Sequence, residues 1–381
     1  MQNKTILIII PFFRPNIGGV ETRFDDICNW LASHGFKVKV LTYQPITTAG
    51  VKGKSYEVGE NIEIFRFWWP GFDLFHKLNK LILLQTMYTS LGLLIRSFIY
   101  LLKNGKNIDV IHAAGFNSAF VTRILNLFFK KKWVLSTHAI YNFKDKKIVP
   151  FFIRWIIKDA YRVICISKYS RKELINIGIP GEKTIIHITW VNQNVFSPQD
   201  KIDCKDQLNF PDKFTVLFVG RFRQIKGVLN LIDVAKDLNE INFVFVGEGP
   251  KEVELKEAAS QFHNIIYAGK ISNEELPRYY NAADVSIMPS LYKEPFGRVV
   301  IESLSCGTPC ICSNLGAIVE HLSSSVAYLI DPNSENIKKA VLDLFNDQDR
   351  LNKMAGQCRK FAVEKFSQKN MSSLIEGYGF N

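Results

Sequence analysis

Short apolar runs separated by longer mixed stretches dominate this chain. Ile6–Ile10, Lys37–Tyr43, Ile62–Phe67, Val110–His112, Trp133–Thr137, Val163–Ser167 and Thr184–Ile188 read as strands. The most continuously apolar of these runs suit strands covered on both faces, as in parallel sheets. Between the first two, Glu21–His34 repeats apolar residues at helical spacing. Residues 196–210 (Phe196 to Phe210) are polar and irregular and read as a linker. The alternation then restarts. Strands are expected at Thr215–Val219, Asn242–Val246, Ile265–Ala268, Val285–Met288, Pro309–Cys312 and Ala327–Ile330. Helices are expected at Gly227–Leu238, Pro250–Phe262, Asn273–Ala282, Gly297–Cys306 and Glu335–Phe345. Strands alternating with helices predict α/β architecture with two doubly wound domains, 1–195 and 196–364. They would face each other across a cleft, with ligands at the strand C-termini.

The length of 381 residues agrees with two domains. A chain that is 47% hydrophobic and 13% aromatic has ample surface to bury, which excludes disorder. The seven cysteines form no C-x-x-C pair, as expected of reduced thiols in a cytoplasmic protein. Cys306, Cys310 and Cys312 lie close together, but no histidine completes a zinc spacing, so no metal is expected. Lys4 followed by Ile6–Phe13 imitates an export signal. The run is short, Arg14-Pro15 ends it and no small-residue cleavage site follows, so a buried strand is expected instead. Residues 74–102 are rich in Leu and Ile, but Lys77, Lys80 and Arg96 interrupt them. One or two amphipathic helices are expected there rather than a membrane crossing, which needs about 20 apolar residues.

Charge adds a regional feature. The net charge is +12, and residues 74–172 hold 18 basic but only 3 acidic residues. Lys130–Lys132, Lys144, Lys146, Lys147, Arg154 and Lys158 are interleaved with Phe128, Phe129, Trp133, Phe151, Phe152 and Trp155. Such a cluster suits an anionic membrane surface, which is the expectation adopted here. A solvated basic face and single-stranded nucleic acid are the competing explanations. No nucleic-acid partner is expected.

Three strings carry candidate chemistry. In Ser290-Leu-Tyr-Lys-Glu294-Pro295-Phe296-Gly297-Arg298-Val299-Val-Ile-Glu302, Pro295 keeps Glu294 out of the helix, and Gly297 lets backbone approach a ligand. The helix starting at Gly297 offers free N–H groups, and Glu302 lies about 7.5 Å further along its axis. One carboxylate is thus expected at the mouth and one deeper, with anion-binding amides between them. In Gly220-Arg221-Phe-Arg223-Gln-Ile-Lys226-Gly227, two cations follow a strand and can neutralise a diphosphate without a metal; Arg223 is a weaker third. In Pro11–Glu21, Gly18-Gly19 makes an anion-tolerant turn. His138 stands at the end of the Trp133–Thr137 strand, where a structural role competes with a catalytic one.

Together these strings resemble the retaining glycosyltransferases of family 4, whose GT-B fold pairs two Rossmann-like domains, over nearly the whole chain. Glu294 through Glu302 is similar to the family's E-x7-E signature. The resemblance implies that Glu294 holds donor-sugar hydroxyls, that the Phe296 and Gly297 backbone holds sugar and phosphate, and that Pro295, Arg298 and Val299 belong to the donor site. It implies that Glu302 holds the ribose, that Arg221 and Lys226 hold the diphosphate, and that Gly19 approaches the donor phosphate. It places His138 near the reacting sugar and the base near Gly269, Lys270 and Ile271. It also implies that residues 365–381 cross back to the first domain. The chain departs from the family at Thr189-Trp190-Val-Asn192, at Leu315-Gly316, at Ile225 before Lys226 and at Ala139 after His138.

The implied activity is retaining, metal-independent transfer of a hexose-type sugar from a nucleotide diphosphate sugar, with UDP favoured over GDP and no cofactor. The acceptor would be a saccharide or lipid-linked saccharide in polysaccharide or glycolipid synthesis. The enzyme would sit in the cytoplasm at the inner face of the membrane. No carboxylate nucleophile stands out, so same-face displacement is expected. A nucleotide-sugar 2-epimerase of the same fold and a non-catalytic membrane-surface binding protein are the alternatives.

Overall fold

A computed structural model describes residues 3–16, 18–46, 50–70, 74, 77, 78, 81–141, 143 and 148–380. The chain divides into two compact units: residues 1–188 with 370–381, and residues 189–369.

The first unit holds an eight-stranded sheet. Its strands are β1 (Thr5–Ile9), β2 (Lys37–Tyr43), β3 (Tyr56–Gly59), β4 (Ile62–Phe67), β5 (Val110–Ala114), β6 (Trp133–Ser136), β7 (Arg162–Cys165) and β8 (Thr184–Ile186). The order is β3-β4-β2-β1-β5-β6-β7-β8. All neighbours are parallel except β3 and β4, which form an antiparallel hairpin. Every residue of β1, β5 and β6 is buried, as continuous apolar runs require. The sequence pattern did not reveal β3, because its residues are largely exposed and carry no apolar run. Asn61 turns the hairpin with a left-handed φ of 59°. Helices Gly19–Ser33, Ile82–Asn104, Gly115–Phe129, Ile148–Ile157 and Lys168–Asn176 surround the sheet. Leu93, Leu125 and Ile156 from three of them share a core with Leu7, Ile111 and Leu135. Ser167 is the N-cap of Lys168–Asn176 rather than the end of a strand. Of the amphipathic segment expected at 74–102 the structure describes the helix Ile82–Asn104, while residues 75, 76, 79 and 80 lie outside the described set. Among the described residues no helix is long and apolar enough to cross a membrane.

The second unit holds a six-stranded, wholly parallel sheet. Its strands are β9 (Thr215–Val219), β10 (Asn242–Val246), β11 (Ile265–Gly269), β12 (Val285–Met288), β13 (Cys310–Ser313) and β14 (Ala327–Ile330), in the order β11-β10-β9-β12-β13-β14. Phe218, Phe243, Phe245 and Ile287 meet Leu231 and Val341 in its core.

The expected linker at 196–210 is packed rather than loose, and the unit boundary falls at Ile188/Thr189 instead of 195/196. Trp190, Val191 and Phe196 are buried, and Phe196 meets the Tyr280 ring edge-on at 6.2 Å. Arg359 donates to the carbonyls of Gln193 (3.1 Å) and Phe196 (2.8 Å). Asp200 caps the helix Lys201–Gln207. Polarity in this stretch therefore serves caps and carbonyl contacts as well as solvation. The crossing back is later than position 365: helix Gln348–Lys365 belongs to the second unit, and only 370–381 rejoin the first.

The helix Met371–Tyr378 is fastened to the first unit by two buried histidines. His112 bonds the Tyr378 hydroxyl through Nδ1 at 2.8 Å and Ser136 Oγ through Nε2 at 2.5 Å. His187 Nδ1 donates to the Asn370 carbonyl at 3.0 Å. Burial, and then the Arg23 charge, push the pKa of each imidazole down to about 3. In the unfolded chain both would titrate near 6.5. Below pH 6.5 the unfolded state binds protons that the fold excludes, so their contribution is full above pH 6.5 and lost as pH falls toward 3. Urea unfolding of the intact protein should show stability falling between pH 6.5 and 5 by up to about 2 kcal/mol per imidazole. An unchanged midpoint over that interval would refute this assignment.

Candidate functional site

In each sheet the winding reverses at one point, between β1 and β5 and between β9 and β12. Loops leaving adjacent strand ends part there and leave room for a ligand. The candidate residues of the second unit follow β9, β11 and β12.

Glu294 lies on the loop after β12 and is almost fully buried. Three groups donate to its carboxylate: Lys226 Nζ and Ser290 Oγ to Oε1, and Tyr292 OH to Oε2, each at 2.6 Å. Lys226 also reaches the Tyr292 hydroxyl at 3.0 Å and lies over its ring. Burial and the Glu294 charge push the Tyr292 phenol far up, so it stays a donor. Glycine makes this convergence possible. Gly227 has φ 74°, and a Cβ there would collide with the Pro289 carbonyl. The Lys226 turn thus lies flush against the β12 loop, fixed further by Leu291 N–H donating to the Ile225 carbonyl at 2.8 Å. Gly316 has φ 89°, and a Cβ there would strike the Glu294 backbone. Its segment pairs with Glu294 as a short parallel bridge, and Ala317 N–H donates to the Glu294 carbonyl at 2.8 Å.

Gly297, with φ 84°, is the N-cap of helix Arg298–Ser305, so the helix starts one residue later than the sequence pattern indicates. No side chain caps this end, and its leading N–H groups can receive an anion. Glu302 is as buried as Glu294, which corrects the expectation of one carboxylate at the mouth and one deeper. Arg298 Nε donates to Glu302 Oε1 at 2.8 Å, and Tyr280 OH donates to Oε2 at 3.0 Å. Pro295 and Val299 are half-buried, and Phe296 is buried against the His321 and Phe366 rings. Arg221 and Arg223 are exposed on the loop after β9. Gly269 ends β11 beside a register shift, and its carbonyl accepts from Gly247 N–H at 2.8 Å. Lys270, exposed, lies 3.6 Å from Glu248, and Ile271 follows, half-buried. Among the described residues no three His, Cys, Asp or Glu side chains are grouped to hold a metal.

In the first unit, Gly19 opens the helix Gly19–Ser33 and is exposed. A Cβ on it would meet only open space, so the chain's own packing does not demand glycine there. Four residues on, Arg23 is buried, with Nη1 3.4 Å from His138 Nδ1. His138 follows β6, with Phe24 edge-on at 5.3 Å. Burial, then Arg23, hold its imidazole neutral, well below the usual histidine range. Its Nε2 is buried without a hydrogen-bond partner among the described residues. Sequence reasoning missed Arg23, Ser290, Tyr292, Tyr280 and the bracing role of Gly316. The hydroxyls at 290 and 292, four and two positions before Glu294, were a readable signal.

The family model for Glycosyl transferases group 1 matches residues 200–361, and that for Glycosyltransferase Family 4 matches residues 17–188. An uncharacterized 41.2 kDa protein in the cps region of Klebsiella pneumoniae is 31% identical, covering 76% of this chain and 84% of that protein. This chain belongs to the family 4 glycosyltransferases. The phosphatidylinositol N-acetylglucosaminyltransferase gpi3 subunit of Schizosaccharomyces pombe is 22% identical over 89% of this chain and 72% of its own length. Among solved structures, sucrose-phosphate synthase from Thermosynechococcus elongatus superposes with a TM-score of 0.79 at 22% identity, covering 99% and 98% of the two chains. Anabaena Alr3699/HepE, solved with UDP-glucose, gives 0.76 at 19%, covering 98% and 99%. These likenesses give this glycosyltransferase the GT-B fold.

Two substitutions test the bracing. Gly227→Ala and Gly316→Ala should each lower stability by about 2 kcal/mol or more, because backbone rather than a movable side chain blocks the new methyl. Calorimetry showing less than about 0.5 kcal/mol at either site would refute the close approach. Tyr292→Phe should cost about 1 kcal/mol by removing one donor from a buried carboxylate.

Proposed function

We propose that the chain transfers a sugar from a nucleotide diphosphate sugar, UDP-linked in preference to GDP-linked, to a saccharide or lipid-linked saccharide. The configuration at the anomeric carbon is retained and no metal takes part. The observation that carries this reading is the Lys226–Glu294 pair beside the uncapped start of helix Arg298–Ser305. A diphosphate at that helix end offers Lys226 a second anion, and Arg221 adds charge. Once Lys226 turns to the phosphate, Glu294 keeps Ser290 and Tyr292 as donors and frees lone pairs for sugar hydroxyls. Glu302, oriented by Arg298 and Tyr280, has capacity left for a ribose. His138, held neutral, can hydrogen-bond through Nε2.

The bond from the anomeric carbon to the diphosphate oxygen breaks as the acceptor oxygen bonds on the same face. The acceptor proton leaves on the phosphate, whose growing charge the cations and amides stabilise. The Anabaena neighbour's complexes with UDP and UDP-glucose support a uridine donor, and the phosphatidylinositol N-acetylglucosaminyltransferase relative supports an acceptor carried by a lipid. The basic region 74–172 supports action at the inner face of a membrane.

Thermal unfolding with UDP, GDP, ADP, CMP and dTDP in turn, without metal, tests the donor. UDP at 100 times its dissociation constant should add about 2.7 kcal/mol. No response to any nucleotide would overturn the reading. Glu294→Gln should lower transfer about 100-fold or more while the protein stays folded.

A further inference from the structure

The helix Ile82–Asn104 is apolar on the side that meets water. Its buried side mixes Thr89, Ser90, Gly92 and Ser97 with Leu93 and Leu101. Its exposed side carries Leu84, Met87, Leu91, Ile95, Ile99 and Leu102, each 44–64% exposed. Steps of three and four residues align these six in one stripe about 27 Å long. A water-facing helix places its polar residues on that side.

The stripe continues onto two neighbouring helices. Phe98 meets the exposed Phe128 edge-on at 5.6 Å. Phe120 meets Phe152 at 5.7 Å and Trp155 at 6.2 Å, both exposed, and Phe151 is more exposed still. Cations end each helix: Lys103 and Lys106 the first, Lys130 the second and Lys158 the third, all exposed, while Arg154 is held by the Ile177 carbonyl at 2.9 Å. Lys131 and Lys132 are not part of this rim, since one donates to the Ile108 carbonyl and the other lies over the Tyr161 ring. Lys144, Lys146 and Lys147 lie outside the described residues. The two described acids of the region are neutralised, Asp109 by Lys4 at 2.9 Å and Asp159 by Arg123 at 2.6 Å.

We propose that this face docks on an anionic bilayer. The Leu84–Leu102 stripe and the exposed aromatics enter the acyl boundary, and the helix-end cations meet headgroup phosphates. Charge selects this occupant. A second copy of the chain, meeting the same face about a two-fold axis, would oppose cations to cations. The inference deepens the membrane-borne acceptor read above, but vesicle binding is measured without donor or acceptor, so either can fail alone.

The experiment is sedimentation of the full chain with vesicles of phosphatidylcholine, alone or mixed with phosphatidylglycerol. The unaltered protein should bind the mixed vesicles more tightly. Leu91→Gln with Ile95→Gln should weaken that binding about tenfold or more, since each removes one buried aliphatic side chain. Ile202→Gln with Val253→Gln, still more exposed but in the other unit, should change nothing. Circular dichroism and the unfolding midpoint should show both double variants folded. Equal binding to the two vesicle types, unchanged binding by the first double variant, or a dimer in solution that this variant alone converts to monomer would overturn the proposal.

Discussion

Backbone touching backbone at strand ends is the constraint on which the second unit's site depends. The loops after β9, β12 and β13 meet at Gly227 against Pro289 and at Gly316 against Glu294, with no side chain between them. Because the loops are flush, a flexible lysine on one reaches a carboxylate on the next. The same closeness leaves both glutamates inside the protein, where each must be paired. Their partners, Lys226, Ser290 and Tyr292 for one and Arg298 and Tyr280 for the other, are therefore part of the site rather than its surroundings.

The first unit solves a different problem. Its sheet ends are filled by imidazoles kept neutral around a buried guanidinium, which fixes their hydrogen-bonding roles. His112 and His187 turn inward to the last helix through Nδ1, and among the described residues His138 and His187 each keep a buried Nε2 without a partner.

Much of this was legible in the sequence, for identifiable reasons. Fully buried parallel strands such as β1, β5 and β10 declare themselves as apolar runs, and Glu294 through Glu302 declares itself by spacing. What stayed hidden depended on tertiary neighbours. An exposed hairpin strand at Tyr56–Gly59 has no apolar signature, and polar residues at 196–210 look like a linker until Arg359 and Asn281 are seen to bind their backbone. Glu302 looked like the deeper of two carboxylates because helical rise was counted, but Glu294 is covered by residues from another loop. Arg23 could not be told from a surface arginine, since its burial is imposed by β6 and its following turn. The apolar outer side of Ile82–Asn104 needed the helix to be placed before inside and outside had meaning.

The tie between His112 and Tyr378 closes a loop of 266 residues. During synthesis most of the first unit emerges from the ribosome before the second, yet its sheet lacks part of its cover until residues 370–381 follow. The second unit, continuous from Thr189 to Lys369, has no such dependence. The order of emergence and the order of completion are therefore opposite: the unit made last is finished first. A chain interrupted before Met371 would carry a complete C-terminal sheet and an N-terminal one whose His112 has lost its Tyr378 partner.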